Sequence, residues 1–162
     1  MKTLAAVMFG LGLTMSAITN AASIAVVDLA KVVESSTYLK QQNTSLGQSV
    51  KPTSTKLEQL GKEIESLQQK AQSANQADLQ KLSAQYQAKV NEFNTTQQGL
   101  QSKVQSSLQT MNTTFENRVK QAAEQLRKEN NVDLIINKNS TIASDAKYDL
   151  TDKMIQKVNA MK

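Results

Sequence analysis

The sequence contains no cysteine, no histidine and no tryptophan, a single proline, and only 4% aromatic residues. Without cysteine there is no disulfide, no thiol nucleophile and no thiolate metal site. Without histidine, the commonest general base and the commonest metal ligand are both missing. The five glycines do not form a phosphate-binding loop. We therefore predict a protein that is not an enzyme and carries no cofactor or metal.

The residues that are abundant are Gln, Lys, Leu, Ala and Ser. This composition cannot fill a thick globular core, but it is typical of long helices that bury narrow apolar seams. Hydrophobic residues at 39% argue against disorder throughout the chain. The net charge of +5 comes from basic and acidic residues that alternate, as in Lys56 and Glu58, which indicates a solvated helix face. We therefore expect no nucleic-acid partner and at most a weak attraction for polyanions such as the phosphates of anionic lipid.

The first 21 residues have the pattern of a secretory signal peptide. Lys2 supplies the positive charge, and the apolar run 4–15 is followed by small and polar residues. This run of twelve residues would rise about 18 Å as a helix, too little to cross a bilayer core of about 30 Å. Thr19 and Ala21 fit the small-residue positions before a cleavage site. We expect cleavage after Ala21 and a secreted mature protein.

Two short apolar segments near the ends of the mature chain predict β-strands. Ser23–Asp28 and Val132–Ile136 are rich in β-branched residues and bounded by polar ones, and Ser140–Ser144 is a weaker third candidate. A short helix, Leu29–Ser36, follows the first strand. A closing amphipathic helix follows Asp149, its expected N-cap.

The stretches 22–36 and 131–162 are each too small to bury a core alone. We expect them to form one assembly body and to pool their apolar faces with those of further chains.

Residues 37–130 show no strand signal and predict a helical-hairpin arm. From Leu57 to Ala74 the apolar residues step alternately by three and four, and from Leu79 to Leu126 they recur about every 3.6 residues. The second stripe includes Gln97 and Leu108. The polar segment Ser73–Asp78 separates the two helices.

We place the arm tip at Ala74, Asn75 and Asp78, with Asn75 expected to end the first helix and Asp78 to cap the second.

Gly47 and Pro52 predict a hinge near the root of the arm. Proline inside a helix removes one backbone hydrogen bond and clashes with the preceding turn, while glycine adds backbone freedom. The alternative is that Pro52 is the first residue of a helix that starts near Lys51.

Three segments resemble the Skp/OmpH family of periplasmic chaperones. Ile24–Val33 is similar to the opening strand and helix of that family, Val132–Asn139 to its later strand, and Tyr148–Ile155 to its closing helix. The three segments occur in the family's order, and the chain between them matches by its helical pattern.

The resemblance implies an α+β, mostly α fold, in which a long antiparallel helical hairpin is inserted in a small β-containing trimerisation body. Three such chains would make a jellyfish-shaped homotrimer that holds unfolded outer-membrane proteins between its arms without ATP. Mapped by motif, the trimer-body positions are Ile24, Val26, Leu134 and Ile136. Some members of the family have a basic tip that binds lipopolysaccharide.

Two other classes of protein fit parts of the sequence. A structural coiled-coil protein of the envelope would need only the helical seams. A basic polyanion- or lipopolysaccharide-binding protein would use the positive charge, and its binding would fall steeply with salt.

Overall fold

The computed structural model describes residues 22–161, so the signal-peptide prediction lies outside the described residues. The chain forms a small body from which one long helical hairpin projects. In order, the elements are β1 (Ile24–Val27), α1 (Leu29–Ser35), α2 (Thr37–Gln72), α3 (Gln76–Glu129), β2 (Leu134–Asn137) and α4 (Thr151–Ala160). Short 3-10 turns occupy Lys138–Ser140 and Ala146–Tyr148.

The strands β1 and β2 pair in parallel, with Ile24 opposite Leu134 and Val26 opposite Ile136. On its other side β1 is bridged to the chain just before α4, where the N–H of Leu150 donates to the carbonyl of Val26 at 2.9 Å. The prediction of a third strand over Ser140–Ser144 is wrong for the single chain. This segment follows a 3-10 turn and, within residues 22–161, pairs with no strand.

The core of the body lies between the inner face of the sheet, α4 and the end of α3. Alternate residues of β1 reach it because side chains along a strand point to opposite faces. The last four turns of α3, in which this helix continues from the arm into the body, also contribute side chains to the core. Its buried members are Ala25, Val27, Val32, Ala122, Leu126, Val132, Leu150, Met154 and Val158.

The helices α2 and α3 pack side by side and form the arm. At 1.5 Å per residue, the 36 residues of α2 make it about 54 Å long. The predicted seam Leu57–Ala74 is confirmed, since its apolar residues are buried or half-buried.

In α3 the predicted stripe is wrong at two positions. Gln97 and Leu108 are exposed, and Thr96 and Ser107 are half-buried in their place. At both points the steps of four and three residues exchange their order, while the mean spacing of the buried stripe from Leu79 to Leu126 stays at about 3.6 residues.

The turn between α2 and α3 covers residues 73–75, within the predicted segment Ser73–Asp78, and the two capping roles are different from those predicted. Asn75 caps the start of α3, with its side-chain oxygen accepting from the N–H of Asp78 at 3.0 Å. Ser73 is the residue that ends α2. Asp78 therefore lies in the first turn of α3, where its negative charge suits the helix dipole.

Pro52 lies in the interior of α2, because this helix begins at Thr37 and continues unbroken to Gln72. The alternative that Pro52 starts a helix is wrong. The cap of Ser36, whose hydroxyl accepts from the N–H of Leu39 at 3.2 Å, sets the true start, and packing against α3 carries the helix past the proline.

Asp149 does not occupy the N-cap position of α4, which belongs to Leu150. Its carboxylate instead fastens three parts of the body. One oxygen pairs with the ammonium of Lys138 at 2.6 Å, and the other accepts from the N–H of Thr151 at 2.9 Å. The hydroxyl of Thr151 in turn accepts from the N–H of Asp28 at 2.9 Å. The hydrogen bond from Lys138, followed by the one from Thr151, lowers the pKa of Asp149 from 3.8 to about 2.

We predict that this carboxylate makes the body acid-sensitive. The folded pKa lies below the unfolded one, so its contribution of about 2 kcal/mol is complete above about pH 5 and is lost as the pH falls toward 2. Asp149→Asn should lower the free energy of unfolding near neutral pH and flatten its decline below pH 4, measured by urea unfolding. Asp145→Asn is the control, because its pair with Lys147 is exposed. Equal losses for the two variants would contradict the prediction.

Candidate functional sites: the outer sheet face and the arm

The four residues that the sequence places in the trimer body lie on one face of the sheet. Ile24 pairs with Leu134, and Val26 pairs with Ile136 two residues further along both strands. This face is opposite the one that packs into the core. Ile24 is 42% exposed and Leu134 49% exposed, whereas Val26 is covered by its own chain. We call this surface the outer sheet face.

The outer sheet face forms the floor of an open groove of about 560 Å³. The walls are the extended chain 141–145 and Tyr148, whose ring is 43% exposed. Ile24 and Ile136 supply the apolar floor. A groove of this size can accept apolar side chains from another polypeptide.

Exposed apolar residues are concentrated on the body. Of the seven large hydrophobic residues exposed among those described, only Leu108 lies on the arm. Ile142 is fully exposed although it belongs to the chain that walls the groove. Exposed apolar surface gathered in this way typically marks an interaction site. Besides Leu108 and Ile142, the exposed large hydrophobic residues are Ile24, Leu29, Val33, Leu134 and Tyr148.

The backbone of β2 supplies a second unused surface. Among the strands described for residues 22–161, β2 pairs with β1 alone. The backbone N–H and C=O groups along the opposite edge of β2 therefore have no strand partner. Such an edge is a template for a strand from another chain. The outer sheet face, the groove and this edge adjoin each other on the body.

The predicted hinge residues lie in a part of α2 whose backbone carbonyls bond to side chains. Pro52 has no N–H to offer the carbonyl of Gln48. The ammonium of Lys103, from α3, donates to the carbonyl of Ser49 at 3.0 Å. The hydroxyl of Ser54 donates to the carbonyl of Val50 at 3.2 Å. Hydroxyl bonds of this kind weaken and bend helices.

We call residues 46–55 the hinge segment. The hydroxyls of Ser49 and Thr55 also bond to carbonyls within it, at Leu46 and Lys51. At Gly47 an added Cβ would meet nothing within 4 Å, so packing does not require glycine there. The hinge itself stays a prediction.

Gly99, which no motif in the sequence marks, lies at the level of Pro52 on the opposite helix. Ser49 meets Lys103, and Lys56 pairs with Glu92 at 2.8 Å. Pro52 lies between Ser49 and Lys56 on α2. Gly99 lies between the partners of these two residues on α3. Its Cβ position is open as well. Both helices therefore carry a residue with poor helix propensity at one level of the arm.

Near the tip the packing between the helices is loose, and part of the positive charge is paired. An open apolar cavity of about 310 Å³ is lined by Leu67, Leu82 and Tyr86, among others. Lys89 pairs with Glu63 at 2.7 Å, and this hydrogen bond lowers the pKa of Glu63 and raises that of Lys89. Such pairing reduces the positive field that a polyanion would meet.

None of the helices described for residues 22–161 is both long and apolar enough to span a bilayer.

The fold and these surfaces define a class of protein: a small α+β body with an exposed apolar sheet face, carrying one long antiparallel helical hairpin. The model of the family described as "Outer membrane protein (OmpH-like)" matches residues 23–158. The chain therefore belongs to the OmpH-like family, as its sequence motifs indicate.

A solved structure from Caulobacter crescentus CB15, described as a candidate outer membrane chaperone (OmpH-like), has a similar fold. The TM-score is 0.68 at 17% sequence identity, and the alignment covers 86% of this chain and 85% of the other. The search of curated proteins finds no match. At this identity the likeness shows the fold, and the mostly α architecture with its long hairpin is confirmed.

Proposed function

We propose that this protein is an ATP-independent periplasmic chaperone that acts as a homotrimer. It holds unfolded outer-membrane proteins between its arms, prevents their aggregation and helps to deliver them to the outer membrane. The description of the Caulobacter relative as a candidate outer membrane chaperone supports this role. The observation that carries the proposal is the contrast between a body with exposed apolar surface and a long arm that is mostly polar outside.

The body supports the assembly. The side chain of Ile142 is fully exposed, and within residues 22–161 one edge of β2 has no strand partner. In the proposed trimer the segment 140–144 of one chain lies against the outer sheet face of the next. A head-to-tail contact of this kind closes into a ring when the rotation between chains is suitable.

The arm supports the holding of clients. Its exposed surface offers Leu108 and the loose cavity near Tyr86 rather than one sharp pocket. Contacts that are weak and scattered allow a bound chain to exchange sites, which suits many different clients. Motion at the hinge segment would let the arms spread for clients of different size without fuel. Because Lys62 and Lys89 are paired with glutamates, which leaves only a few lysines to provide positive charge at the tip, we propose only weak contact with anionic lipid or lipopolysaccharide.

We predict that the mature protein suppresses aggregation without nucleotide. A denatured outer-membrane β-barrel is diluted into buffer with and without the protein, and light scattering is followed over time. Scattering should fall to near the buffer baseline at about one trimer per client. A denatured soluble protein of similar length measures the preference for membrane clients. Unchanged scattering of the β-barrel would contradict the proposed function and would leave a structural role for the arm.

A further inference from the structure

The closing helix α4 is fixed firmly to the body end of α3. Met154 and Val158 are buried in the same core cluster as Ala122 and Leu126 of α3. At the edge of this contact the ammonium of Lys157 pairs with Glu129 at 2.7 Å. The position of α4 is therefore set by α3.

The last turn of α4 also binds the root of α2 through the side chain of Asn159. Its oxygen accepts from the N–H of Thr37 at 2.9 Å and from the hydroxyl of Thr37 at 3.1 Å. Its amide group donates to the carbonyl of Ser35 at 3.1 Å. One side chain thus joins the end of α1 to the start of α2 across the buried residue Ser36.

Arg118 makes a second link between the same elements. Its guanidinium lies over the ring of Tyr38, 4.1 Å from the centroid, and so connects α3 to the first turn of α2. The same group donates to the carbonyl of Met161, just after α4, at 2.7 Å. An arginine that stacks on an aromatic ring and also forms a hydrogen bond is restricted in orientation.

We propose that the end of α4, Asn159–Met161, is a bracket that pins the root of α2 against α3, and that Asn159 is its principal positioning residue. A two-helix arm bends in the plane of its helices only when one helix slides past the other. With the roots of both helices pinned to α4, this sliding is blocked next to the body. The arm is then stiff up to the hinge segment and moves beyond it. The consequence for the width of the client cavity rests on the proposed function.

The test measures a distance within one chain, and the absence of native cysteine makes the labelling clean. Spin labels are attached at Gln156→Cys on α4 and at Gln41→Cys on α2, both exposed positions, the second of which lies before the hinge segment. The full mature chain is used, and labelled chains are diluted with unlabelled ones. We expect a single narrow distance distribution in the parent and a broad one in Asn159→Leu.

A second variant removes the same bonds from the other side. Thr37→Pro deletes both groups that donate to Asn159, while proline is favoured at the first position of a helix and the extended Ser36 before it is compatible. It should broaden the distribution as Asn159→Leu does, even if the latter folds poorly. Asn159→Asp keeps the oxygen that accepts from Thr37 but loses the bond to the carbonyl of Ser35, so it should broaden the distribution less than Asn159→Leu does.

Asn130→Leu is the matched control, because the amide of Asn130 also bonds within the body but contacts Leu126 and Lys153 rather than α2. Its distribution should match that of the parent. A narrow distribution in Thr37→Pro, or equal broadening in Asn130→Leu, would overturn the proposal. Failure of the chaperone proposal would appear in light scattering and in the oligomer mass, which this measurement does not use.

Discussion

Ile142→Asp should convert the trimer into a monomer at micromolar concentration. Ile142 is fully exposed in the single chain, and burying an isoleucine contributes about 1.5–3 kcal/mol at each contact with a neighbour. A charged aspartate in the same place adds the cost of burying an unpaired carboxylate. Together these terms weaken each contact by at least about a hundredfold. Sedimentation or light scattering should therefore report one chain instead of three.

Leu108→Asp is the control for this prediction. Leu108 is 39% exposed like several residues of the body, but it lies on the arm. Its replacement by aspartate should leave the mass of the assembly at three chains, and both variants should retain their helical content. A three-chain mass for Ile142→Asp would contradict the proposed contact. A single-chain mass for the unmodified protein would contradict the trimer itself.

Replacing both Gly47 and Pro52 by alanine should stiffen the arm and raise its thermal stability. The gain is about 1 kcal/mol for glycine and up to about 3 kcal/mol for proline in a helix interior. No clash opposes the change at Gly47, since its Cβ position is open. Labels at Ala77→Cys, beside the tip, would report the tip-to-tip distances in the trimer. We expect a narrower distribution and a narrower range of client sizes, with the three-chain mass unchanged.

Gly61→Ala is the matched control for the hinge. Gly61 lies in the same helix, beyond the hinge segment, and its Cβ position is open as well. It should give the gain of about 1 kcal/mol that is expected for the glycine alone, but no change in the tip-to-tip distribution. An equally broad distribution in the double variant would show that the arm moves elsewhere. Gly99→Ala, at the level of Pro52, would then be the next variant to measure.

The helices and strands of this protein could be predicted from the sequence because their signals are local. The seam from Leu57 to Ala74 repeats at helical spacing, and the β-branched segments that contain β1 and β2 are short and bounded. The sequence motifs also indicated the family that the comparison then showed. The pairing of Ile24 with Leu134 on one face follows from strand alternation once the two strands are aligned.

Other features depend on contacts between segments far apart in the chain, and only the tertiary structure decided them. Pro52 lies within a continuous helix because α3 packs beside it, and local propensity alone left its position open. Segment 140–144 has the composition of a strand but pairs with no strand in the part of the chain that the structure describes. The bond from Asn159 to Thr37 joins residues 122 positions apart, for which no local pattern exists. The sequence by itself determined which segments are helical and which are extended, since those choices rest on neighbouring residues. The tertiary structure decided which apolar face is left exposed and where the arm is held, because both depend on which distant surfaces meet.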